Sequence, residues 1–120
     1  MNFEIFIFGI FILLFDIPFI TFIMKPKYQN IGLAKNTKII FALCAYLIMI
    51  SSWFLIEGDL IKAALTGFVI YGIYGFTLAA ILPEYTLSMG LTELIWGTLL
   101  YVLATFLTKK IKIKLKNVLN

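Results

Sequence analysis

The stretch "LIKAALTGFVIYGIYGFTLAAILPEYTLSMGLTELIWGTLLYVLATFL", Leu60 to Leu107, decides the fold. It holds two apolar runs, Leu60 to Leu82 and Leu87 to Leu107, separated only by a short segment that opens with Pro83. At about 1.5 Å per residue, a helix of about 20 apolar residues crosses the roughly 30 Å hydrocarbon core of a bilayer. Two more such runs precede them, Phe3 to Met24 and Ile39 to Ile56. Backbone groups in lipid must be satisfied within their own segment, and the residue-by-residue alternation of a barrel strand is missing, so all four runs read as helices. The expected fold is all-α: an integral membrane bundle of four transmembrane helices (3–24, 39–56, 60–82 and 87–107) with short connections. It forms a single transmembrane domain over 1–120, ending in a Lys-rich tail at 108–120.

Composition agrees. Of 120 residues, 62% are hydrophobic and 13% charged, with a mean hydropathy of +1.05, far from the balance of a soluble domain. The first run lacks a positive leading segment and a small-x-small cleavage site, and Asp16 interrupts it, so it is expected to remain a membrane helix and not to be a secretion signal. Histidine is absent and Cys44 is the only cysteine, which removes the commonest metal ligands and any intrachain disulfide. Neither a metal nor a cofactor is expected. There is no Gly-rich phosphate loop, no Ser-His-Asp set and no long loop in which to assemble a catalytic site, so the chain does not read as an enzyme.

The connections differ in charge. "KPKYQNIGLAKNTK" after the first run carries four Lys and starts its break at Pro26; "EGD", Glu57 to Asp59, is a tight acidic hairpin; "PEYTLSMG" is nearly neutral and offers Thr86 or Ser88 as a helix cap. With four spans, both chain ends and the hairpin share one membrane side, here side A, and the other two loops share side B. Lys62 and the tail give side A six Lys against four on side B, a narrow preference for cytoplasmic ends that leaves an antiparallel, dual-topology dimer open. Lys109, Lys110, Lys112, Lys114 and Lys116 alternate with apolar residues, and the tail is expected to extend the last helix into the head groups of anionic lipid. Without aromatics for stacking beside these lysines, a nucleic-acid partner is not expected.

Polar residues inside the spans point to a site. Counted from the side-B ends, Asp16 lies about 12 Å deep, Glu93 about 9 Å, Thr77 and Tyr74 about 8 and 12 Å, and Cys44 and Tyr46 about 8 to 11 Å. Charge within a span is costly, about 2.5 to 3.5 kcal/mol at a helix centre on insertion scales, so both acids should face the bundle interior. The expected intramembrane pocket is Asp16, Glu93, Tyr74, Thr77 and Tyr46, with the two carboxyls meeting across the bundle and sharing a proton. Two meanings stand beside each other: handling of a proton, an ion or a ligand, or plain hydrogen-bond bridging of helices. Pro18 cannot donate to the Leu14 carbonyl and should kink the first helix one turn from Asp16. In the third run Gly72, Gly75 and Ala79 form a stripe of small residues suited to close helix packing.

These residues also carry a resemblance. "YGIYGFT" and "ELIWGT" together resemble the third and fourth helices of the family catalogued as domain of unknown function 2177, a group of small four-helix membrane proteins. Its members read Tyr-Gly-Thr-Tyr-Asp-Leu-Thr-Asn in the third helix, Asp-x-x-Trp-Gly-Thr in the fourth and Asp-x-x-Trp in the first. Tyr71, Gly72, Tyr74 and Thr77 match the third-helix motif, and Glu93, Trp96, Gly97 and Thr98 match the fourth, with Glu for Asp. Asp16 and Phe19 match the first, with Phe for Trp, while Gly75 and Leu78 replace the family's Asp and Asn. The resemblance implies the fold and the membrane location; it implies no activity. Trp96 and Gly97, with Pro18 and the small-residue stripe, are expected to serve helix packing. The functional expectation from the residues is a small proton-, ion- or solute-translocating protein using the carboxylate pair, working as a homo-oligomer in the lipid bilayer. The alternative is a structural or assembly membrane protein whose acids only bridge helices.

Overall fold

The computed structural model describes residues 2–27 and 39–119. The described residues form an all-α bundle of four helices with no strand among them. Helix α1 runs from Asn2–Pro18 through a π-helical segment, Phe19–Met24, into a last turn at Lys25–Lys27. Helix α2 comprises Ile39–Ser51 and, after a break at Ser52, Trp53–Ile56. Helix α3 is Leu60–Ile81 and α4 is Leu87–Leu119. Three spans, Phe3–Met24, Leu60–Ile81 and Leu87–Leu119, are long and apolar enough to cross a membrane, and Ile40–Ile56 is a shorter apolar helix. Most of the Lys-rich connection between α1 and α2 lies outside the described residues.

Local chemistry sets the boundaries. In the acidic hairpin, Glu57 and Gly58 take positive φ (54° and 73°), and the Asp59 carboxylate caps α3 by accepting from the backbone N–H of Ile61 and Lys62 at 2.8 and 3.2 Å. Lys62 reaches back to Glu57 at 2.8 Å. Thr86 is the cap of α4, its Oγ1 accepting from the Met89 N–H at 3.2 Å. Met89 returns the contact through its sulfur to the Thr86 N–H. The Lys-rich tail does not fray into a strand: α4 continues without a break for 33 residues, about 50 Å at the usual rise, and so extends well beyond a 30 Å core.

In space, α4 packs against both α1 and α3, α1 also contacts α2, and α2 meets α3 at their hairpin end. The closest packing is between α3 and α4. The face of α3 turned to α4 is Ala63, Gly67, Tyr71 and Gly75, a four-residue repeat, so the packing stripe includes the predicted Gly75 and otherwise runs along residues other than Gly72 and Ala79. A Cβ on Gly67 would overlap the carbonyl of Gly97, one on Gly97 would overlap the ring of Tyr71, and one on Gly75 would come within 3.2 Å of the Gly90 Cα. Backbone approach of this kind is how helices gain dispersion energy in lipid, where burial of apolar surface gives little net drive. Gly72, half-buried, faces only the movable Leu94 side chain, at 3.2 Å, and Ala79 is half-buried against the side-B core cluster.

Two apolar clusters hold the interior. One, toward side A, gathers Phe8, Ile12, Trp53, Ile56, Leu100 and Tyr101; the other, toward side B, gathers Phe19, Met24, Tyr85 and Met89. The buried stripe of α1 reads Glu4, Phe8, Ile12, Asp16, Phe19, which carries Asp16 into the bundle between the two clusters.

Candidate functional site: a buried acidic cavity

Asp16 is 2% exposed and Glu93 is 4% exposed, so both acids face the bundle interior. Asp16 is held from three other helices. Tyr46 of α2 donates to its Oδ2 at 2.8 Å, while Tyr71 of α3 and the indole N–H of Trp96 of α4 donate to its Oδ1, each at 3.0 Å. All three donors are neutral, so they disperse the charge of a carboxylate without a counter-ion. Phe19 stacks on Trp96 with ring centroids 4.6 Å apart and fixes the indole in this orientation. Glu93 accepts a hydrogen bond from the Tyr85 hydroxyl.

Both acids line one cavity of about 450 Å³, together with Tyr46, Tyr71, Tyr74 and Phe19. The remaining wall is apolar, from Ile20, Ala42, Ala45, Met49 and Ile70, and among the described residues no lysine contributes to it. All four helices contribute to the cavity, and its exposed lining residues, Ile20 of α1, Ala45 of α2 and Tyr74 of α3, the last 47% exposed, mark its mouth. Immediately after Asp16 and Pro18, α1 changes to π-helical bonding over Phe19–Met24, where the Lys25 N–H bonds to the Ile20 carbonyl. Such segments widen a helix and cluster at functional sites. The missing N–H of Pro18 supplies a local cause, and the widened turn presents Phe19 to Trp96 while leaving Pro18 on the outer surface.

Of the residues expected in a pocket, Asp16, Glu93, Tyr46 and Tyr74 line this cavity, whereas Thr77 is exposed on α3 away from it. Residues three apart share a helix face, so it is position along the axis that separates them: Thr77 lies about 4.5 Å beyond Tyr74, the last residue of α3 to line the cavity. Trp96, expected as a packing residue, packs on Phe19 and also donates to Asp16. Gly97 packs against Tyr71 and so positions the ring whose hydroxyl reaches Asp16. Two participants escaped the sequence reading, Tyr71 as a donor to Asp16 and Tyr85 as a donor to Glu93. Tyr71 sits in the same "YGIYG" as Tyr74, and only the register of α3 on α4 selects between them. Tyr85 lies in the connection between α3 and α4, yet is 3% exposed.

A second cavity, of about 680 Å³, lies at side A between the start of α1, the hairpin and the tail of α4. Lys109, Lys112 and Lys116 line it with Glu4 and Glu57; Lys112 pairs with Glu4 at 3.1 Å. Lys110 and Lys114 are exposed on α4 and do not line it, and Lys110 lies over the Phe106 ring at 5.0 Å.

The fold and the buried polar layer together define a multi-pass α-helical membrane protein. The chain belongs to the family described as "Predicted membrane protein (DUF2177)", whose model matches residues 2–109. That match spans all four helices and both acids. No curated protein and no solved structure matches the chain.

Proposed function

We propose that this protein translocates a proton, an ion or a small solute, with Asp16 and Glu93 as the groups that bind and release it. The observation that carries the reading is the placement of two almost fully buried acids in the wall of one cavity that, among the described residues, no basic side chain lines. An intramembrane acid is costly to insert, and a pair facing a common space is the arrangement from which a proton or cation can be exchanged. The three neutral donors on Asp16 hold one geometry while charge in the cavity changes, and the π-helical turn beside it gives α1 a place to flex.

The test is flux of protons and alkali cations into liposomes holding the purified protein, with Asp16→Asn, Glu93→Gln as the paired control. The expected result is flux that falls by at least tenfold in the double variant at equal incorporation. Equal flux in both proteins overturns the reading.

One observation favours a second, structural reading: Asp16 ties α1 to α2, α3 and α4 at a single point. Under that reading the acids bridge helices and move nothing, and the variants alter stability alone.

A further inference from the structure

The same cavity carries information about what it takes, and the inference below rests on the reading that its carboxylates act on a bound cation. Its volume of about 450 Å³ falls within the range of small-molecule pockets, about 300 to 1,000 Å³, and is far larger than a dehydrated ion requires. Hard metal cations call for six or more converging oxygens, and no group of three or more metal-binding side chains occurs among the described residues. The lining is instead that of an organic cation site. Asp16 and Glu93 supply negative charge, and the aromatic side chains of Tyr46, Tyr71, Tyr74 and Phe19 line the same space. Aromatic rings attract desolvated cations, and they favour quaternary ammonium and phosphonium groups, which cannot recruit a full shell of oxygens.

The position of the mouth narrows the class further. Ile20, Ala45 and Tyr74, which mark the open side, are exposed residues in the middle of apolar helices, Ile20 and Tyr74 within spans long enough to cross a membrane. A ligand entering there comes from the hydrocarbon, so it must partition into lipid while keeping its charge.

We infer that the cavity binds a lipophilic monovalent organic cation taken laterally from the membrane, its charged centre beside Asp16 and Glu93 and its apolar body against Tyr74, Ile20 and Ile70. Protons compete for the same carboxylates. Among the described residues, the titratable groups facing them are Tyr46 from α2, Tyr71 and Tyr74 from α3 and Tyr85 from the connection before α4, and no lysine lines the cavity.

The experiment is a calorimetric titration of the purified full chain in neutral detergent with tetraphenylphosphonium, using uncharged triphenylphosphine oxide as the comparison ligand. Tryptophan emission is followed in parallel, because Trp96 touches the site while Trp53 lies in the side-A core. Saturable binding is expected, at least tenfold weaker in Asp16→Asn and in Glu93→Gln and three- to tenfold weaker in Tyr74→Leu. It should be unchanged in Thr77→Val and should weaken as the pH is lowered. Helicity and elution volume establish that each variant is folded, and Tyr74→Leu, at the mouth, keeps the test usable if an acid variant is not. Affinity that is the same for the uncharged ligand, or the same in all four variants, overturns the inference. If liposome flux depends on the acids while tetraphenylphosphonium binding does not, the substrate class is wrong and the translocation reading stands. If neither depends on them, both fall.

Discussion

Asp16 meets Tyr46, Tyr71 and Trp96 through two oxygens, and this division of acceptors separates charge from bonding. An asparagine can keep its oxygen toward Tyr71 and Trp96 and turn its amide toward Tyr46, whose hydroxyl accepts as readily as it donates. A leucine leaves all three donors without an acceptor. Interhelical hydrogen bonds in membranes average about 0.6 kcal/mol and reach about 1.7, so Asp16→Leu should cost roughly 2 to 5 kcal/mol and Asp16→Asn less than about 1. Thermal unfolding in detergent checks this. A stable Asp16→Asn protein without flux assigns the charge to function; a stable Asp16→Asn protein with full flux leaves the acid a structural role only. The residue scale is also where sequence is most informative about cost and least informative about partners. That Asp16 must face inward follows from the price of exposing it to lipid, whereas the choice of Tyr71 over Tyr74 as its donor depends on a rotation of α3 that the local sequence leaves open.

The helix pair α3–α4 fixes that rotation. Both Gly72 and Gly67 are small residues in an apolar run, and by spacing alone Gly72, Gly75 and Ala79 make as good a stripe as Ala63, Gly67, Tyr71 and Gly75. What decides is the partner: Gly97 of α4 seats under the ring of Tyr71 and against Gly67, and Gly90 seats against Gly75. Helix boundaries, the acidic hairpin and the Thr86 cap were legible because each rests on neighbours within a few residues. The packing register was not, because it rests on the fit between residues 15 to 30 positions apart, from Gly75 with Gly90 to Gly67 with Gly97. The two glycines should therefore behave differently. Gly67→Ala forces α3 and α4 apart against backbone, and is expected to lower the thermal midpoint by several degrees and to weaken ligand binding, because Tyr71 moves with α3. Gly72→Ala meets only the Leu94 side chain, which can turn aside, and the same measurements should show little change.

At the scale of the whole molecule, the bundle is asymmetric about the membrane plane. Asp16 and Glu93 belong to the side-B half of the spans, while α4 carries its charge beyond the spans at side A, where the Glu4–Lys112 pair ties the start of α1 to the tail. Lys109, Lys112 and Lys116 recur along α4 so that all three line the side-A cavity, while Lys110 and Lys114 do not. A helix that projects with five lysines near the head groups should gain from anionic lipid, at about 1 kcal/mol per lysine close to the surface. In nanodiscs, the thermal midpoint is expected to be higher in phosphatidylglycerol than in phosphatidylcholine. The difference should shrink as salt is raised, since exposed charges are screened over about 10 Å at 0.1 M salt and over about 3 Å at 1 M. Changing Lys109, Lys112 and Lys116 together to Gln should remove more of the lipid effect than changing Lys110 and Lys114, beyond the ratio of three charges to two, if phosphate enters the cavity. A loss that simply follows the number of lysines changed would instead mean that the tail responds to the surface potential as a whole and that the cavity holds no lipid. Because this dependence arises at side A, it should leave the Asp16 and Glu93 variants' effect on flux intact, so the two ends of the bundle can be tested independently in one preparation.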